Sequence, residues 1–214
     1  LLAEHIDFSR LPHIMAQGHI SALAITASSY STGEHVTFYQ SQKEVPSWVR
    51  NQRLAMRCEL NHAHLLASSA IPFVFPAKDL EGPFGRAWFG DGAMRQSAPI
   101  SPAIHLGAEK ILVIGAGRMQ EPSRPKIQIE PEYPSMAHIA GHALSSIFLD
   151  SMAVDVERLQ RINHTLELIP ANQRQQAHLR PIQLLVISPS ERLDDIALRH
   201  ASRLPVAVKN LLHI

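Results

Sequence analysis

The chain has 214 residues, 45% hydrophobic and 18% charged, enough apolar material for the core of an ordinary globular domain and too much for a disordered chain. Twenty lysines and arginines against 19 acids give a formal net charge of +1. With the basic residues scattered and only three tyrosines and two tryptophans to stack on bases, no nucleic-acid partner is expected. Cys58 is the only cysteine, which rules out an intrachain disulfide and fits a reducing, cytoplasmic compartment. No apolar run approaches the roughly 20 residues that span a bilayer. The opening Leu1-Leu2-Ala3-Glu4-His5 is neither an initiator methionine nor a signal peptide, and the expectation is a natural protein that extends upstream.

In chain order, residues 21–40 read as a β-hairpin. Ala22-Leu23-Ala24-Ile25-Thr26-Ala27 favours a strand, Ser31-Thr32-Gly33-Glu34 a turn, and Val36-Thr37-Phe38-Tyr39 the return. Between 47 and 68, Trp48, Leu54, Cys58, Leu65 and Leu66 fall near one side at helical spacing, predicting a helix-like segment. Pro72 and Pro76 exclude regular helix there, and a glycine-rich loop is expected over 81–92. A short helix over 103–106 should be closed by Gly107. Residues 110–114 are a continuously apolar strand, the pattern of a strand covered on both faces.

Four prolines make 121–134 a loop, and Ser135 is the candidate N-cap of a long helix reaching about Thr165, with Glu157 and Arg161 paired at i, i+4. Pro181 opens a strand over 182–187, and Ser188-Pro189-Ser190-Glu191 resembles a capping box at the head of a last helix that stops before Pro205. Without repeats or linkers, the chain reads as a single α/β domain with a partly parallel sheet.

Several motifs invite chemistry and lose it on inspection. Gly115-Ala116-Gly117 follows a strand, but Gln120 replaces the third glycine of a dinucleotide fingerprint, and Pro122 and Pro125 occupy the helix it needs. No cofactor is expected. His62 and His64 are two apart, on different sides of a helix. His138 and His142 are four apart without H-E-x-x-H, so no metal site is expected either. Cys58 reads as a buried helix-face thiol, and Asp194-Asp195 as acids in a helix's first turns, favourable to its dipole.

Asp91 differs because of its surroundings. Leu66-Ala67-Ser68-Ser69-Ala70-Ile71-Pro72-Phe73-Val74-Phe75-Pro76 is followed by Gly90-Asp91-Gly92-Ala93, then by Pro99 and Leu106-Gly107-Ala108. This succession resembles the patatin-like phospholipases, in which an A-S-x-A-x-P segment precedes D-G-G or D-G-A, a proline, and L-G-A before a strand. The hairpin with Thr32-Gly33-Glu34 at its turn, Val156-Glu157-Arg158-Leu159, Arg161-Ile162-Asn163 and Ile187-Ser188-Pro189-Ser190 are similar to a bacterial branch of that family. Ser97 stands where asparagine is more usual.

The resemblance implies a three-layer α/β hydrolase sandwich, incomplete at its N-terminal side, that cleaves lipid acyl esters with a serine–aspartate dyad. Asp91 is then the catalytic aspartate, with Gly90 and Gly92 as its supporting motif and Gly92 letting the backbone turn tightly. A serine hydroxyl becomes a nucleophile when a base within hydrogen-bond reach takes its proton, which a partly shielded carboxylate can do. The family's G-x-S-x-G elbow and its glycine-rich oxyanion loop occur nowhere in the 214 residues, so both are expected in an upstream segment of the same protein. The implied partners are a lipid or acyl-ester substrate, that upstream segment, and the surface of a membrane at which a cytoplasmic protein works peripherally. The alternative is a non-catalytic lipid- or protein-binding domain that has lost its nucleophile.

Overall fold

Strand-forming residues after Ser21 build the centre of the fold. The computed structural model describes residues 2–50, 52–83, 85–94, 96–115, 151–170, 173, 179–191 and 199–200. These residues fall in two compact units, one within 1–96 and 101–107, the other within 97–100 and 108–214.

The first unit opens with α1 (Leu2–His5), a 3-10 turn (Phe8–Arg10) and α2 (Leu11–Ala16). Then come β1 (Ala22–Ser29) and β2 (His35–Ser41), the expected hairpin, antiparallel from Ala22 opposite Ser41 to Ser28 opposite His35. Gly33 takes a φ of +71° in its turn, a conformation that costs glycine little. β3 (Val49–Arg50), β4 (Arg53–Arg57), α3 (His62–Ser68), β5 (Lys78–Gly82), β6 (Gly85–Asp91) and α4 (Ser101–His105) follow. The six strands form one mixed sheet in the order β3-β4-β2-β1-β6-β5, with β2 and β4 parallel and the other pairs antiparallel.

Alternation decides which face is dry. Ile25, Ala27, Val36, Phe38 and Phe89 project to one side, where Ala67 of α3 and Leu11 and Met15 of α2 close a single core. Phe38 and Phe89 meet edge to face at 5.4 Å between centroids, both fully buried, each worth about 1.5–3 kcal/mol of burial. On the opposite side Tyr39 stacks on Trp48 and Trp48 on His105 of α4.

Two expectations fail here. Residues 47–68 are helical only from His62; before that, Leu54 and its neighbours pair with β2 as β4. The spacing of Trp48, Leu54 and Cys58 fits a helix as well as it fits a strand beside a loop, and sheet pairing overrides so weak a periodicity. Residues 81–82 and 85–91, expected as loop, instead belong to the paired strands β5 and β6. Gly82 and Gly85 belong to the turn between them, and Gly90 lies within β6 itself.

In the second unit β7 (Lys110–Ile114) pairs in parallel with β8 (Gln183–Ile187), Ile111 opposite Leu184 and Val113 opposite Val186. A helix, α5 (Met152–Leu168), runs three residues past the expected Thr165. β7 is not covered on both faces: Ile111 and Val113 are buried, but Leu112 and Ile114 are exposed beside exposed Leu185 and Ile187. Glu157 and Arg161 form the expected ion pair. The loop over 121–134, the Ser135 cap, His138, His142, Asp194, Asp195 and the last helix lie outside the described residues.

Candidate active site around Asp91

Asp91 closes β6, opposite Ala27 of β1. As residue i+2 from Phe89 it belongs to the face on which α3 packs. The loop leaving α3 meets it there. The Asp91 backbone N–H donates to the Ala70 carbonyl at 3.1 Å, and the Gly92 N–H to the Ser68 carbonyl at 3.2 Å. The A-S-x-A-x-P and D-G-A segments, separate in sequence, are thus joined by two main-chain hydrogen bonds.

Asp91 as a residue is half-buried, while its carboxylate makes its hydrogen bond at the exposed surface. Its Oδ1 accepts the Ala93 N–H at 2.7 Å, an Asx turn that locks the side chain's direction. Among the described residues no hydrogen-bond donor meets Oδ2, so one oxygen is tied down and the other is open. This is the arrangement a positioned general base needs.

Of the two flanking glycines, Gly92 is required by contact with backbone, whereas Gly90 faces a movable side chain. Gly92 is buried, and a Cβ there would lie 2.0 Å from the Thr26 carbonyl oxygen of β1. Its φ is outside the left-handed region, so the expected tight-turn role is replaced by close backbone approach. At Gly90 a Cβ would meet the Tyr30 hydroxyl at 2.4 Å, because the tyrosine ring lies over the strand.

No hydroxyl or thiol among the described residues donates to Asp91. Ser69, close in space through Ala70, returns its hydroxyl to the Leu65 carbonyl at 2.9 Å. Thr26 Oγ1 pairs with Thr37 Oγ1 at 3.3 Å across the β1–β2 hairpin. Among the described residues, then, no hydroxyl or thiol is hydrogen-bonded to the Asp91 carboxylate.

Cys58, the only cysteine, follows β4 and is not on a helix face as expected. Its Sγ lies 3.7 Å from His64 Nε2. Burial pushes the thiol up to about 11, and burial also lowers His64 below the ordinary histidine value, only partly offset by the Asn61 backbone contact. Both directions favour a neutral thiol beside a neutral imidazole, the reverse of a catalytic thiolate–imidazolium pair. His64 Nδ1 accepts the Asn61 N–H at 3.2 Å and Asn61 Oδ1 accepts the Ala63 N–H at 2.9 Å, so this histidine completes the capping box of α3.

His62 turns elsewhere, its Nε2 lying 2.6 Å from the Ile6 carbonyl oxygen. Among the described residues no three histidine, cysteine or acidic side chains converge as a metal site. None of the described helices is long and apolar enough to cross a membrane. Comparison with protein-family models, curated proteins and solved structures finds no match to the chain.

Sequence reasoning overlooked one polar side chain with a defined task. Asn163 of α5 holds the backbone of Ile182 by both ends of its amide, Nδ2 donating to the carbonyl at 2.7 Å and Oδ1 accepting the N–H at 3.0 Å. The signal available was an asparagine in step with the helix's buried positions Val156, Leu159 and Leu166. Asp155, on the same helix, is buried and accepts the Ile100 N–H at 3.0 Å.

Proposed function

We propose that this chain is the aspartate-bearing part of a patatin-like lipid acyl hydrolase, with Asp91 the general base for a serine outside these 214 residues. The observation that supports it is the joining of Asp91 and Gly92 to Ala70 and Ser68, which unites the two motif segments around a carboxylate with one oxygen open. In this reading Asp91 takes the serine's proton as its oxygen attacks the ester carbonyl, and returns it to the departing alcohol as the acyl-enzyme forms. Water then adds to the acyl-enzyme, giving one proton to Asp91, and the regenerated serine recovers it when the fatty acid leaves. The oxyanion is held by backbone N–H groups of a glycine-rich loop that the chain does not contain.

The three-layer sandwich belongs to the same proposal, as do a cytoplasmic setting and a lipid ester as substrate. The mixed α/β sheet is consistent with that architecture. The reaction calls on no metal or cofactor.

Active-site labelling tests the reading. The protein expressed from its full reading frame should be trapped at one serine by a fluorophosphonate probe, and Asp91→Asn should slow trapping by roughly 10²-fold or more. The 214-residue chain alone should neither label nor hydrolyse p-nitrophenyl esters. Absence of labelling in the full protein assigns it to the rival class, a binding domain without a nucleophile.

A further inference from the structure

The loop between α3 and β5 is unusual in what it presents to solvent. From Leu66 to Ala77 there is no charged side chain, and its tip is Phe73-Val74-Phe75. Phe73 is 92% exposed, Val74 65% and Phe75 56%. A single exposed apolar residue is ordinary, but three in succession at the tip of a turn are not.

The tip is also rigid in design. The Val74 and Phe75 N–H groups both donate to the Ile71 carbonyl, at 3.1 and 2.9 Å, and Pro72 and Pro76 restrict the chain on either side. Phe73 holds a left-handed φ of +66°, unfavourable for a bulky residue, and spends that strain on pointing its ring into water. Such strain persists at ligand-contacting turns, and a rigid tip loses little entropy when it is buried. At its stem, Ala70 accepts the Asp91 N–H, so the tip and the candidate base are parts of one hydrogen-bonded structure.

We infer that the Phe73–Phe75 turn is a wedge that enters the acyl–headgroup boundary of a lipid surface and brings Asp91 to its substrate. The choice of lipid as partner rests on the acyl-hydrolase reading. It also rests on shape and charge: a convex, uncharged tip suits insertion, whereas a protein partner would have to supply a pocket for a strained aromatic knob. The first charge beyond the tip is Lys78, three residues on and thus at most about 10 Å from Phe75. That is the depth of the headgroups when apolar side chains penetrate about 5–10 Å, so the ammonium faces lipid phosphates while the rings lie in the acyl chains.

The test is co-sedimentation of the full-reading-frame protein with phosphatidylcholine vesicles containing one-fifth phosphatidylserine. The parent should bind. Phe73→Ser with Phe75→Ser should weaken binding roughly tenfold to a hundredfold, the scale of two partly buried aromatic rings, without altering the thermal melt. In Phe73→Trp, the indole should be quenched by lipids brominated near the headgroup end of the acyl chain. Equal binding by parent and double variant overturns the inference, as does a parent that ignores vesicles. So does a parent dimer that the double variant converts to monomer without lipid, since the turn then serves protein contact. Asp91→Asn should bind vesicles as the parent does, so loss of hydrolysis and loss of docking report separately on the dyad and on the wedge.

Discussion

Asp91 depends on neighbours that hold its backbone more than on neighbours that touch its carboxylate. The Ala70 and Ser68 carbonyls fix the main chain of residues 91 and 92, and the Ala93 N–H fixes the side chain. Gly92 makes this possible because β1 passes so close that any Cβ would sit 2.0 Å from Thr26 oxygen. Backbone cannot yield as a flexible side chain can. Gly92→Ala should therefore cost about 1–3 kcal/mol or more of stability and displace Asp91 with it. A urea melt of the variant with an unchanged midpoint would show that the approach of Thr26 is not a constraint. Of this residue-scale picture, Asp-Gly as a pair was legible in the sequence. The reason for the glycine was not, because it lies in Thr26, far away in the chain and adjacent only after β1 and β6 pair.

Among the elements, those written in local residues were read correctly and those made by distant pairing were not. The β1–β2 hairpin, the short helix before Gly107, and β7 and β8 carry their own turn and strand signals. β4 has neither alternation nor strong strand formers, and exists because β2 offers a parallel edge. β6 contains two glycines, Gly85 and Gly90, that read locally as loop; one serves a turn and the other makes room for Tyr30.

The polar side chains that lock elements together are equally invisible to periodicity. Asn163 satisfies both backbone groups of Ile182, which is only 3% exposed. Asn163→Ala leaves a buried donor and acceptor unmet and should cost about 2–4 kcal/mol, while Asn163→Asp should be worse than a simple loss of one bond, since its acceptor would face the Ile182 carbonyl. Equilibrium denaturation in which Asn163→Ala matches the parent would remove the clamp from the account.

His64 adds a pH dependence at the head of α3, the helix whose far end supplies the Ser68 carbonyl. Its folded-state value lies below the ordinary 6.5, chiefly through burial. The unfolded chain then binds the proton more readily. The histidine's contribution is present above pH 6.5 and is lost as pH falls from there through the lowered folded value. His64→Gln keeps an acceptor for the capping box without titrating, so the gap in melting temperature between parent and variant should move against the parent from pH 7 to pH 5. A gap independent of pH would contradict the burial of a neutral imidazole.

Across the whole molecule, the class was legible from alternating strand and helix signals, and the described residues bear out a mixed α/β fold. The candidate site was legible only as a succession of short pieces, each weak by itself, and its strength in space comes from two hydrogen bonds that no spacing rule encodes. We propose for Asp91 the role of a base, beyond that of a turn residue. Its most direct test is steady-state hydrolysis of p-nitrophenyl butyrate by the full-reading-frame protein and by Asp91→Asn, with a thermal melt of each. Asparagine can still accept the Ala93 N–H through its own Oδ1, so the melt should stay where it is. It cannot take a proton from serine, so kcat should fall by about 10² to 10⁴ while KM barely moves. A variant that keeps the parent's kcat with an unchanged melt would contradict the account, and leave Asp91 as nothing more than the corner of a strand.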